Sequence, residues 1–439
     1  MAHTRKALPT KKSSIPGVSF IRGMGGIKEY QLKKNELRIL LAQDKSVPVA
    51  GCMVTYHVGS RNEATGYTGA THLLEHLMFK GSEKFNKENG RFMDRLFESR
   101  GSIINATTWF DRTNYFEIVP KDVVPLAIEV EADRMRTARF TEADKTTEMP
   151  IVRSEYEMNE NQPLEALDKQ IWATAFVAHP YHHPTIGWLS DIENVSIGRL
   201  KQFYDDFYWP NNATVTITGN FDEMEVLALI KKYFGVHPPA PRPFPALYTE
   251  EPLQQGQRRV IVKRAGAPMI CVAHKIPSAL NEDMPALLML ATILYDDKST
   301  RLYKRFVDSA LATNVLVQAN PLKDPSLFQA FVTLAPDTSH DRAEKILLQE
   351  YDDLIEKGVT AAELRRAKRA WRVYWSKRLD GPWAVLEGLN EDIGRGDWTR
   401  FVTLPAAVDR VSATDIRRVA KKYLVEDQST VGWFVPTNI

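Results

Sequence analysis

Residues 195–215 read VSIGRLKQFYDDFYWPNNATV, and residues 411–431 read VSATDIRRVAKKYLVEDQSTV. Set 216 positions apart with no gap, Val195, Ser196, Leu200, Phe203, Phe207 and Val215 meet Val411, Ser412, Ile416, Val419, Tyr423 and Val431. In each copy a helix is followed by a strand at the same phase. The repeat predicts an α+β protein built from two duplicated domains of similar fold, each a mixed sheet packed with helices.

Between the copies, HPPAPRPFP at 237–245 is a proline-dense break. The expected division is a flexible leader over 1–25, one domain over 26–236, a linker over 237–248 and a second domain over 249–439. A length of 439 residues with 44% apolar and 26% charged residues fits a soluble, multi-domain globular chain. The formal net charge of +2 gives no global field for nucleic acid or a membrane surface. The basic, Ser/Pro-rich start, MAHTRKALPTKKSSIPGV, lacks the apolar core of a secretory signal. A soluble protein of a bacterial periplasm or cytoplasm is expected, with the choice open. Cys52 and Cys271 lie far apart in apolar runs, so no disulfide framework is indicated.

The first domain carries the chemistry. Strands are predicted at Lys28–Leu32, Leu37–Ala42, Val47–Val58, Ile103–Phe110 and Arg112–Val119, and helices at Asn86–Ser99, Asp122–Arg136 and Thr141–Asn159. After the loop Gly59–Gly69 comes THLLEHLMFK, residues 71–80. On a helix, His72 and His76 share one face, Glu75 lies beside them, and Leu73 and Leu74 turn inward. Two imidazoles and a carboxylate aimed at one point supply two ligands for a divalent metal and a base for water. A surface helix with two idle histidines would share the spacing, but the apolar run Leu77, Met78, Phe79 predicts a buried helix. The second copy has only Ala286, Leu287, Leu288, Met289 and Leu290 at the corresponding place, which is plain core.

A catalytic zinc site takes three protein ligands and leaves one position open, so a third ligand must come from elsewhere. His57, on a strand, and His179, His182 and His183, in the loop HPYHHP, are candidates. Glu148 and Glu155 are stronger ones, since a separation of two turns puts both on one helical face with Val152 between them. Spacing leaves the choice between the two glutamates open, and an exposed charged stripe continuing through Glu157 and Glu160 would look the same.

HLLEH followed by Glu148 and Glu155 seven apart resembles the pitrilysin or insulinase family of zinc metallopeptidases. VGSRNE (58–63), GATHLLEHLMFKG (69–81) and NATTWFDRTNYF (105–116) match the same family. The resemblance implies one zinc ion per chain on His72, His76 and Glu155, Glu75 as general base, and Glu148 as the carboxylate orienting a ligand histidine. It implies that the strand with Asn105 and Ala106 holds the substrate main chain by edge pairing. It also implies a half-sized subunit that forms one half of a clamshell with a second subunit.

Active relatives add an Arg and a Tyr, seven apart, from a second-half segment. Here Val307 and Asn314 fall at those places, with Tyr303 and Arg305 nearby but out of phase. The expected function is therefore a zinc-dependent endopeptidase subunit acting on unfolded peptides, with a homologous partner supplying Arg and Tyr. A homodimer using Tyr303 or Arg305 is the alternative assembly. The alternative functions are a non-catalytic structural subunit and a targeting-sequence processing peptidase.

Overall fold

A computed structural model describes residues 15–437. The first half holds strands β1 (Val18–Met24), β2 (Ile27–Leu32), β3 (Arg38–Gln43), β4 (Val49–Tyr56), β5 (Ile103–Thr108), β6 (Thr113–Pro120) and β7 (Ala213–Gly219). They form one sheet in the order β1-β2-β3-β7-β4-β6-β5. The second half holds β8 (Arg258–Arg264), β9 (Met269–Ile276), β10 (Ala312–Ala319), β11 (Ser326–Leu334) and β12 (Ser429–Pro436), in the order β10-β11-β9-β12-β8. Both sheets are mixed. Among the described residues only β3 with β7 and β8 with β12 run parallel, so β3-β7-β4-β6-β5 and β8-β12-β9-β11-β10 share one topology. That is the duplication announced by the 216-residue repeat.

The helices are α1 (Ala70–Leu77), α2 (Met93–Glu98), α3 (Val124–Thr137), α4 (Glu142–Glu160), α5 (Pro163–Ala175), α6 (Leu189–Asn194), α7 (Ile197–Phe207) and α8 (Glu223–Phe234) in the first half. The second half has α9 (Met284–Leu294), α10 (His340–Lys357), α11 (Ala361–Lys377), α12 (Gly381–Gly394), α13 (Arg400–Arg410) and α14 (Ala413–Tyr423). Among the described residues no helix is long and apolar enough to cross a membrane.

Two helices cross over between the halves. Helix α5 packs on β8, β9 and β12 of the second sheet, and α12 packs on β4 and β7 of the first. Glycines admit both helices. A Cβ on Gly432 of β12 would lie 2.7 Å from Ile171 Cδ1, and one on Gly51 of β4 would lie 2.9 Å from Leu386 Cδ2. With each sheet covered by the other half's helix, the central strand β4, VAGCMVTY, is buried on both faces along nearly its whole length. Cys52 and Cys271 are both free and buried, on separate sheets.

Of the leader expected over 1–25, residues 1–14 lie outside the described residues, while Val18–Met24 is an edge strand paired antiparallel with β2. The helix expected over Asn86–Ser99 starts only at Met93. The amide of Asn86 donates to Ser82 O (2.9 Å), and its carbonyl oxygen accepts from Asn89 N (3.0 Å). These side chains thus offer the backbone a turn in place of a helix.

Candidate metal centre

Helix α1 is eight residues long, and its first turn is secured from outside. Buried Glu63 reaches back from the preceding loop, its Oε2 accepting from Gly69 N and its Oε1 from Thr71 N, each at 2.7 Å. Gly69 has φ +82°, and a Cβ there would sit 2.3 Å from Ile186 O, so only glycine fits. Asp191 Oδ2 ties down the approach, accepting from Gly66 N (3.0 Å) and from Thr68 N (3.1 Å). Leu73, Leu74 and Leu77 are fully buried and fix the rotation of the helix. With that face inward, His72 and His76 point across toward α4.

Helix α4 opens on a reciprocal cap between Thr141 and Asp144 and packs on α1. Val152, 1% exposed, occupies the contact, Glu148 is buried, and Glu155 is half-buried. His72 Nε2 lies 3.6 Å and His76 Nε2 3.5 Å from Glu155 Oε2. His76 Nδ1 lies 3.2 Å from Glu148 Oε2, and Lys80 Nζ pairs with Glu148 Oε1. Among the described residues, His72, His76 and Glu155 are the group of His, Cys, Asp or Glu able to hold a metal, their ligand atoms all within 4.8 Å.

The donor set suits zinc on two counts. Donors bound to one zinc at about 2.0–2.2 Å in a tetrahedron stand roughly 3.3–3.6 Å apart, and the observed 3.5 and 3.6 Å fall in that interval. Burial, and then the neighbouring His76, push the His72 imidazole down to about 3, so at neutral pH it is an uncharged lone-pair donor. Its Nδ1 is buried without a hydrogen-bond partner.

Glu75 is buried beside the trio, and the Thr108 hydroxyl donates to its Oε2. Burial raises the Glu75 carboxyl above its ordinary range, and the Thr108 hydrogen bond opposes the rise. These residues open onto a cleft of about 730 Å³, whose far wall is Ile103, Ile104, Asn105 and Ala106 of β5. Among the described residues strand β5 is the outermost of its sheet and pairs with β6 alone. Ala106 is buried toward α1, while Asn105 is exposed.

The other candidate histidines lie elsewhere. His57 Nε2 bonds Thr214 Oγ1 (3.0 Å), His179 Nε2 bonds Asp324 Oδ2 (2.9 Å), His182 Nδ1 meets His179 O (3.0 Å), and His183 is buried near Pro184 O and Glu63. The loop HPYHHP is thus part of the contact between the halves, where Asp111 accepts from Tyr181 OH (2.7 Å) and from Lys323 N (2.9 Å). In the second half, Tyr303 and Arg305 lie on a short π-helical turn. Arg305 is held by Glu350 (2.9 Å) and Asp353 (3.1 Å) of α10.

Sequence reasoning missed Glu63, Lys80 and Thr108. Lys80 carried a signal, at i+4 from His76. Glu63 caps from six residues upstream, outside the usual capping spacing, and Thr108 reaches Glu75 only through the fold.

Two family descriptions match the chain. "Insulinase (Peptidase family M16)" matches residues 38–187, and "Peptidase M16 inactive domain" matches residues 194–371. The zinc protease PqqE of Helicobacter pylori is 28% identical over 409 residues, covering 92% of this chain and 91% of that one. A probable mitochondrial-processing peptidase subunit beta of Arabidopsis thaliana is 24% identical over 418 residues, covering 92% and 77%. Among solved structures, a protease from Helicobacter pylori superposes with a TM-score of 0.88 at 27% identity, covering 93% of this chain and 99% of that one.

Proposed function

The insulinase family of peptidases, M16, is the family to which this chain belongs, and from that premise we propose that it is the metal-bearing subunit of a zinc-dependent endopeptidase acting on unfolded peptides. The observation that carries this is the convergence of His72 Nε2 and His76 Nε2 on Glu155 Oε2, at 3.6 and 3.5 Å, with Glu75 buried alongside.

His72, His76 and Glu155 would hold one zinc ion. When bound, zinc supplies a Lewis acid that acidifies water and polarises a peptide carbonyl. Glu148 Oε2 accepts from His76 Nδ1–H, which fixes the tautomer and leaves the Nε2 lone pair free toward Glu155. Lys80 pairs with the other oxygen of the buried Glu148 carboxyl and holds it in place beside His76. Glu75 accepts a proton from the attacking water and returns it to the leaving amine, with Thr108 holding the carboxylate toward the cleft. The outer edge of β5, at Asn105 and Ala106, pairs with the substrate main chain, which takes over the Ala106 N–H now donated to Asn105 Oδ1 (2.8 Å), a mode that tolerates many side chains.

Donors to a developing oxyanion are worth roughly 10²–10³ each in rate. With Val307 and Asn314 at the expected Arg and Tyr positions, and Arg305 already paired to Glu350 and Asp353, this chain lacks an evident pair of such donors. A homologous second subunit therefore supplies Arg and Tyr. A homodimer that redeploys Tyr303 or Arg305 is the second assembly, and it requires Arg305 to leave its ion pairs.

The test is a peptidase assay on the purified chain, alone and with a homologous subunit carrying the Arg and Tyr, beside Glu75→Gln. Glu75→Gln keeps stoichiometric zinc and loses turnover, because the amide cannot accept the proton. Full turnover by the chain alone would remove the need for a partner. Substantial activity in Glu75→Gln would refute the assigned base. No zinc and no turnover in either preparation would favour a structural subunit. The likeness to a mitochondrial-processing peptidase subunit makes leader-type peptides the first substrates to compare with random ones.

A further inference from the structure

Strand β5 has two faces. Its even-numbered residues look toward the metal helix, since Thr108 bonds Glu75 while Ile104 and Ala106 pack into the core that contains the α1 leucines. Its odd-numbered side chains look the other way, although Ile103 and Asn105, at the strand's edge, also border the metal cleft. Thr107 Oγ1 donates to Asn114 Oδ1 (2.5 Å), which also accepts from Asn390 Nδ2 of α12 (3.1 Å). Asn105 stands opposite Phe116, and Ile103 opposite Ile118.

This second face belongs to the helix sent across from the other half. Leu386 of α12 packs with Met53 and Phe116, and the Trp383 ring lies 4.4 Å, centroid to centroid, from that of Phe116. Unlike Leu386, which is fully buried, Trp383 is left 39% exposed, and Ile103 is 63% exposed. An apolar shelf therefore runs beside the outer edge of the substrate-pairing strand, on the side away from the metal.

Resting on the peptidase assignment above, we propose that Trp383, with Ile103, forms a subsite for large apolar or aromatic side chains of the bound peptide. A strand added to β5 sends alternate side chains to opposite faces. One set faces the metal helix and α2. The other crosses Ile103 and Asn105 toward Trp383, a diagonal reach open to long or aromatic side chains. Trp383 acts here as a specificity determinant and takes no part in bond cleavage.

The experiment uses zinc-loaded full-length Glu75→Gln, with and without Trp383→Ala, and a fluorophore-tagged peptide whose residues flanking the cleaved bond are Ser. Phe is moved through six consecutive positions, and affinity is read by anisotropy. Phe is expected to tighten binding at every second position on this face, and Trp383→Ala lowers the Phe-to-Ser affinity ratio at those positions by about tenfold. Trp383→Phe keeps most of the ratio. Ile103→Ser, a surface change, lowers it by a smaller factor at the same positions and stands in if Trp383→Ala fails to fold. A ratio unmoved at every position, or lowered equally at all six, overturns the subsite. Cleavage of the same peptides by the wild-type protein with its partner, abolished by Glu75→Gln, separates the two levels. If that Glu75-dependent cleavage is absent, the peptidase assignment falls and the subsite falls with it.

Discussion

Glu63→Ala is expected to damage the candidate metal centre without touching any of its proposed ligands. The Glu63 side chain has no exposure, and its two oxygens satisfy Gly69 N and Thr71 N at 2.7 Å each. Truncation leaves two buried N–H groups unpaired, and each costs about 1–3 kcal/mol. Removing an awkwardly buried carboxyl, raised to about 8 by desolvation that its hydrogen bonds only partly offset, returns part of that sum. A net loss of about 2–4 kcal/mol in folding stability follows. The loss is concentrated where α1 begins, two residues before His72, whereas His76 at the far end remains tied to Glu148. Zinc affinity should therefore fall with stability, because one of two imidazoles loses its fixed position. Urea unfolding of the metal-free protein gives the first quantity, and competition with a chelator gives the second. A stability change below about 0.5 kcal/mol with unchanged zinc affinity, the level of an ordinary surface substitution, would refute the capping argument.

Glu155→Gln should weaken zinc binding more than Glu148→Gln, which as the support of a ligand costs roughly 10–100-fold; the reverse order in a chelator titration exchanges their roles. Asp324, between the halves, is pushed up by burial but held at about 2 by hydrogen bonds from His179 and Arg61 and by the Arg61 charge. A depressed carboxyl pKa stabilises the fold above its unfolded value and loses that contribution as pH falls through the folded one. Asp324→Asn should thus cost about 1–2 kcal/mol at pH 7, after discounting for partial exposure, and the gap to wild type should close between about pH 4 and pH 2. A gap independent of pH in urea titrations would show that the carboxylate charge is not responsible.

What was legible in the sequence is what recurs locally. The i, i+3, i+4 pattern of His72, Glu75 and His76 needs only a helix to bring the groups together, and the two-turn separation of Glu148 and Glu155 needs only another. The duplicated sheet order is carried by repeated apolar phase. Long-range choices were not legible. The apolar stripe of α5, with Leu167 and Ile171, says that the helix is buried, yet nothing in it specifies the other half's sheet. In β1, Arg22, Gly23 and the exposed Ile21 and Met24 hide an edge strand, because an edge has little core to face.

The same duplication accounts for the candidate metal site lying, among the described residues, in one half. Aligning α4 and α11 on their N-caps, Thr141 and Thr360, sets Glu148 against Ala367, Val152 against Trp371 and Glu155 against Tyr374. In the second half Ala367, Trp371 and Trp375 are buried, and the two tryptophan rings stack at 4.9 Å. They pack against α9, whose Met284, Leu287, Met289 and Leu290 leave no polar face where α1 presents histidines. The space that is a cleft of about 730 Å³ in the first half is therefore apolar core in the second. That core anchors α12, the helix that crosses to cover the first sheet and bring Trp383 beside β5. The second half thus contributes to the site through a crossed helix, where its own copy of the metal helix cannot. Substitutions in its tryptophan core should reach peptide selection through α12 while leaving His72, His76 and Glu155 in place.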